Sequence, residues 1–126
     1  MEQLILWCLL FAILLPLVPH AVKVYGRLQA GFDNHRPRVL DNLPPWVTRA
    51  AWAEANTYEA LPGFIAAILV SLLMHADAGR TATLAVIFIL ARLAHTVCYV
   101  MDLATMRTLV WAVGFVCTIW IFVQNL

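Results

Sequence analysis

Charge is what this sequence has least of. Only 12% of its 126 residues are Asp, Glu, Lys or Arg, while 63% are hydrophobic. A soluble domain carries about 25% charged residues, so this chain has too few to cover a surface in water. With lipid as the solvent, no such cover is needed. The charge that is present is balanced, 8 Lys and Arg against 7 Asp and Glu, which excludes the basic footprint of a nucleic-acid binder. Cysteine is sparse too. Cys8, Cys98 and Cys117 lie far apart in apolar runs. They form no C-x-x-C pair and no metal-ligand spacing, so they read as small buried hydrophobes and no metal site is expected. No cleavable leader is expected either. No basic segment precedes the apolar stretch Met1–Val18, Glu2 is acidic, and Pro16, Pro19 and His20 stand where small cleavage-site residues would be. That stretch is read as a retained membrane helix.

What the chain has instead is four long apolar runs, at about residues 4–25, 46–75, 81–99 and 106–123. A hydrocarbon core of about 30 Å needs about 20 helical residues to cross it. Each run can reach that length, and none shows the period-two alternation of a barrel strand. The expectation is an all-α, integral membrane four-helix bundle forming one domain over residues 1–126. Pro16 and Pro19 should kink the first span. The break at 26–48 holds Pro37, Pro44 and Pro45 and should be a loop. Residues 77–79 and 102–105 should be tight turns, with Asp102 or Thr105 capping the last helix.

Basic residues set an expected orientation. Lys23, Arg27, Arg36, Arg38 and Arg49 surround the first connection and Arg107 lies by the third, whereas the second has only Arg80. The positive-inside rule places the first and third connections in the cytoplasm and both termini outside it. The polar residues of the spans then converge. Arg49, Glu54, Asn56 and Glu59 of the second span, Arg92, His95 and Tyr99 of the third, and Arg107 and Thr108 of the fourth share the cytoplasmic half, level with Lys23 and Arg27. The outer half reads as apolar packing. Arg92, His95 and Tyr99 are spaced i, i+3, i+7, and Arg49, Trp52, Asn56 and Glu59 continue one helix face to i+10. His95 reads as a hydrogen-bonding member of this layer; His20, His35 and His75 read as solvated. An ionisable residue inside a bilayer costs at least about 2.5–3.5 kcal/mol on insertion scales, while a polar contact between membrane helices returns only about 0.6 kcal/mol. A pocket for a charged ligand therefore accounts for the layer better than a structural salt-bridge belt does.

Two segments carry a resemblance. Asn56-Thr-Tyr-Glu59-Ala-Leu-Pro62-Gly-Phe64 resembles the second-helix signature of the MAPEG superfamily, membrane-associated proteins in eicosanoid and glutathione metabolism. Ala91-Arg92-Leu-Ala-His95-Thr-Val-Cys-Tyr99, followed by Arg107-Thr108, is similar to its third-to-fourth-helix signature, most like the prostaglandin E synthase branch and small bacterial members. The resemblance implies a homotrimer, in a bacterial inner membrane, that takes glutathione or a similar thiol as co-substrate between subunits. It implies that Asn56, Glu59, Arg92, His95, Tyr99 and Arg49 hold the thiol peptide. Arg107, with Thr108 and Tyr99 beside it, would stabilise the thiolate. The implied activity is that of a glutathione-dependent transferase or peroxidase acting on lipophilic electrophiles drawn from membrane lipid. A second reading is a non-catalytic lipid-binding or scaffold protein of the same fold. It is motivated by Trp52 and Ala55, which stand where some eicosanoid-branch members carry basic residues. A channel or transporter is the weakest reading, since no broken helix pair or inverted repeat is visible.

Overall fold

Long apolar runs in lipid must satisfy every backbone group internally, and helices do so within one segment. The computed structural model describes residues 1–126 and contains helices alone: α1 (Glu2–Leu14), α2 (Leu17–Gln29), α3 (Pro45–Leu73), α4 (Ala78–Val100) and α5 (Ala104–Val123). The first two run on as one 28-residue span, Glu2–Gln29, so four spans are long and apolar enough to cross a membrane. The break between them falls at Leu15 and Pro16. Pro16 has no N–H to donate and its ring crowds the preceding turn. Pro45 opens α3 at its first position, where the missing N–H is harmless.

The spans differ in reach. At about 1.5 Å per residue, α5 just crosses the hydrocarbon core, whereas α3 is about 14 Å longer than that core is thick. Its N-terminal turns follow directly on the long 30–44 connection. The two tight turns share one device. His75 (φ 53°) and Asp102 (φ 60°) take the left-handed conformation just after α3 and α4. Ala76 N–H then donates to Ser71 and Leu103 N–H to Cys98, 2.9 and 2.8 Å, closing the last helical turns. Asp102 thus terminates α4, and α5 starts from Leu103 without a side-chain cap, which corrects the expectation that Asp102 or Thr105 caps it. Asp77 is a true N-cap, accepting from Arg80 N–H at 2.7 Å.

The core lies where α1, α3, α4 and α5 meet, around Phe64 and Phe88, whose rings stack with centroids 3.9 Å apart. α5 packs most extensively on α4, and α2 on α3. Gly26 lets α2 approach α3 closely, because a Cβ there would fall 2.3 Å from a Val47 methyl. Most large apolar side chains outside this core are exposed on the protomer, as lipid-facing residues are.

The half of the bundle at the termini is not purely apolar, contrary to the sequence expectation. Ser71 Oγ–H donates to the Ile121 carbonyl at 2.9 Å and accepts from Asn125 and Gln124 at 2.9 and 3.2 Å. Gln124 also donates to Thr81 at 2.9 Å. This knot ties the end of α5 to α3 and α4.

Candidate functional site

A groove runs between α3 and α5, floored by α4. It encloses about 320 Å³ and has a polar and an apolar end. Asn56, Glu59 and Arg92 form the first. Gly63, Phe88, Phe115 and Thr118 form the second, one to two turns further toward the termini. Two glycines line it. A Cβ on Gly63 would meet the Thr118 methyl, and one on Gly114 would meet Arg92 and Phe88, at ordinary contact distances.

Arg92 is the organising residue. It is 2% exposed, and its guanidinium donates to Asn56 Oδ1 at 2.8 Å and to Thr57 Oγ1 at 3.2 Å. Thr57 gives its own proton to the Ala53 carbonyl at 2.7 Å, so its lone pairs are left for Arg92. Asn56 in turn has its carbonyl oxygen fixed on Arg92. Its NH₂ group is thereby oriented away from that bond, as an available donor. Two atoms in this layer are buried without a partner, Arg92 Nε and His95 Nδ1. Glu59 is exposed on the groove, and both ion pairs of the chain are made by Glu54. The polar end thus offers a free carboxylate, an oriented amide and an unused guanidinium N–H. Such a donor set suits a ligand carrying both ammonium and carboxylate groups.

The same faces continue toward the α4–α5 turn. On α4, Phe88, Arg92, His95 and Tyr99 follow one another at three- and four-residue steps; on α5, Arg107, Trp111, Gly114 and Thr118 do the same. Arg107 stacks its guanidinium over the Tyr99 ring, 4.6 Å from the centroid. Tyr99 also meets His95 edge-on at 5.5 Å and Trp52 at 6.5 Å. Arg107 has no carboxylate partner, lies in the first turn of α5, and therefore presents a cation reinforced by the helix N-terminus.

The residues singled out from the sequence are not all brought together. Asn56, Glu59 and Arg92 line the groove; His95, Tyr99 and Arg107 extend its face. Thr108 is exposed and bonds back to the Ala104 carbonyl at 3.2 Å. Arg49 is engaged elsewhere, donating from Nε and Nη2 to the Val100 carbonyl at 3.2 and 3.0 Å. Val100 ends α4, where carbonyls lack helical partners, so Arg49 locks α3 to the α4 terminus. Arg49→Met is expected to lower stability by about 1–2 kcal/mol and to leave ligand affinity in the groove unchanged. Thermal unfolding in detergent, with a parallel binding titration, checks both.

Three basic or basic-paired groups also fall outside the groove. Lys23 and His20 pair with Glu54, the latter at 3.1 Å, on another side of α3; the His20 side chain stays 44% exposed while it does so. Arg27 is 5% exposed and donates to the Pro37 and Val39 carbonyls. These residues share a level with the groove but not a cavity. Trp111, Gly114, Phe115 and Thr118 were not singled out from the sequence, although stepping along α5 from Arg107 by helical period would have found them. No group of three His, Cys, Asp or Glu side chains is placed to hold a metal.

The model of the family described as MAPEG matches residues 4–126. A comparison with curated proteins returns no match.

Proposed function

The chain belongs to the MAPEG family of integral membrane proteins, and on that premise we propose that it is a glutathione-dependent transferase or peroxidase acting on lipophilic electrophiles. The observation that carries the reading is the two-ended groove, with an unpaired arginine on its continued face. Glutathione bears an ammonium, two carboxylates and a thiol. Glu59 supplies the anion for the ammonium, while Asn56 and Arg92 supply donors for peptide oxygens and a carboxylate. Beyond Arg92 the same face carries Tyr99, with His95 buried edge-on against it, and then Arg107. The family implies a homotrimer, in which a neighbouring copy closes the open side of the groove, and the loop end of the bundle facing the cytoplasm.

The chemistry follows from Arg107. A free thiol ionises near pH 8.5, and an adjacent cation lowers that value toward neutrality. The thiol proton leaves to solvent and Arg107 stays charged throughout. The thiolate sulfur then donates its electron pair to an electrophilic carbon. A C–S bond forms as the leaving group departs with the pair from the broken bond. With a hydroperoxide, the sulfur attacks the terminal oxygen, the O–O bond breaks, and an alkoxide leaves to be protonated. A second thiol then yields the disulfide and water. Such electrophiles dissolve in the lipid around the bundle and meet the sulfur at the level of Arg107.

Stopped-flow absorbance of the thiolate on mixing protein with glutathione tests the proposal. A saturable rise at neutral pH is expected; no rise would remove the mechanism. One observation favours the non-catalytic reading. With Arg49 held by Val100, and Trp52 and Ala55 in place of basic residues, the polar end has few free cations. That reading requires saturable lipid binding without conjugation of any generic aryl halide by any thiol.

A further inference from the structure

The basic residues of α2 and its following loop are absorbed by no part of the proposed reaction, yet they line a site of their own. Two adjoining cavities, of about 420 and 280 Å³, share Lys23, Arg27, Arg38 and Glu54. They lie between α2, α3 and the loop. Glu54 and Asn56 are two residues apart on α3, so their side chains diverge by roughly 160°, and the site and the groove occupy different sides of that helix.

The site is built rather than incidental. Arg27 is buried and clamps the carbonyls of Pro37 and Val39, the residues on either side of Arg38. The backbone of an otherwise exposed loop is thereby fixed at Arg38, whose guanidinium has no hydrogen-bond or ion-pair partner in the chain. Lys23 is only 15% exposed and already shares Glu54 with His20. Three cations thus face one carboxylate, and the positive excess is held where the spans end. Val24 and Leu28, on the exposed side of α2, border the larger cavity. An apolar surface therefore leads directly away from a cationic pocket, along the direction a lipid tail takes from its headgroup.

We infer that this pocket binds the headgroup of an anionic phospholipid, with Arg38 and Lys23 on the phosphate and the acyl chains lying along α2. A soluble phosphate has no use for the apolar border, and a zwitterionic lipid brings its own cation to a site that already has a net positive charge.

Purified protein in detergent can be titrated with phosphatidylglycerol, phosphatidylcholine, glycerol phosphate and glutathione, with binding read by native mass spectrometry and thermal shift. Phosphatidylglycerol should bind saturably, phosphatidylcholine and glycerol phosphate should not, and glutathione, held in the groove, should not compete with the lipid. Arg38→Gln should weaken it about fivefold, the loss of one basic contact at a membrane surface. Arg36→Gln, which removes the same charge from the same loop outside both cavities, should leave it unchanged. Equal losses in the two variants would mean diffuse surface attraction and overturn the site. Equal binding of glycerol phosphate, or displacement of the lipid by glutathione, would overturn the lipid assignment. Both arginines are exposed, so neither substitution threatens the fold.

Discussion

Arg107→Ala is expected to lower turnover by about a hundredfold to a thousandfold, the usual effect of removing one fixed donor from a developing or standing anion. The structure gives the reason. Arg107 is braced over Tyr99 at 4.6 Å and has no carboxylate to neutralise it. Its charge is therefore available to a bound sulfur at no cost in broken ion pairs. The fold should survive, because a partly exposed cation–π contact contributes only about 0.5–1 kcal/mol. The change has a signature beyond rate. In the parent protein, bound glutathione should ionise below its solution value; in Arg107→Ala the midpoint should rise toward about 8.5. Activity lost at neutral pH should then return in part as pH is raised. Arg107→Lys should fall between, keeping the charge but losing the planar fork. Thiolate absorbance against pH, measured on the three proteins, decides the matter. An unchanged midpoint would mean that Arg107 acts elsewhere.

Arg92→Met should have the other large effect, divided between stability and affinity. The substitution keeps much of the volume but removes the donors to Asn56 and Thr57. Hydrogen bonds to a charged group are worth about 1.5–3 kcal/mol in water-soluble proteins, but polar contacts between membrane helices average about 0.6 kcal/mol. A modest loss of stability, of about 1–2 kcal/mol, is expected on that basis. Glutathione affinity should fall further, at least tenfold, because the amide of Asn56 loses the bond that orients it and a carboxylate loses its cation. Arg92→Lys should not restore affinity, since a single ammonium cannot hold Asn56 and still present a second donor in the same plane. Isothermal titration alongside denaturation in detergent separates the two effects. Affinity unchanged in a destabilised Arg92→Met would reduce the residue to a strut between α3 and α4.

The parts of this protein that were legible in the sequence are those written in local pattern. Four spans follow from hydropathy, because lipid leaves a continuous apolar run few other conformations. The shared face of Arg92, His95 and Tyr99 follows from helical period alone. The partner of Arg92 does not follow, since Glu54, Asn56 and Glu59 share its depth and only the packed helices single out Asn56. Other contacts leave no such mark. Arg49 binds a backbone carbonyl at Val100 and Arg27 binds two more in the loop, and a carbonyl is the same at every residue. Arg49 therefore reads from the sequence as a ligand-facing cation, and Arg27 as a residue level with the polar layer. Ser71 is a single hydroxyl in an apolar run, and only tertiary packing reveals Gln124 and Asn125 folding onto it. Asp102 has the chemistry of an N-cap but sits in a left-handed conformation as a helix terminator, with its own N–H and that of Leu103 donating to the Tyr99 and Cys98 carbonyls. The groove's apolar half leaves no mark for a different reason: glycines and apolar side chains such as Gly63, Phe88 and Phe115 look like any other packing in a membrane span.

The most direct test of the groove as a thiol-peptide site is a structure of the protein reconstituted with glutathione. Density for the peptide is expected in the groove, with its ammonium at Glu59, an oxygen at Asn56 or Arg92, and its sulfur beside Arg107. Glutathione resting against Lys23 and Arg38, or a groove filled only by lipid at saturating glutathione, would contradict it.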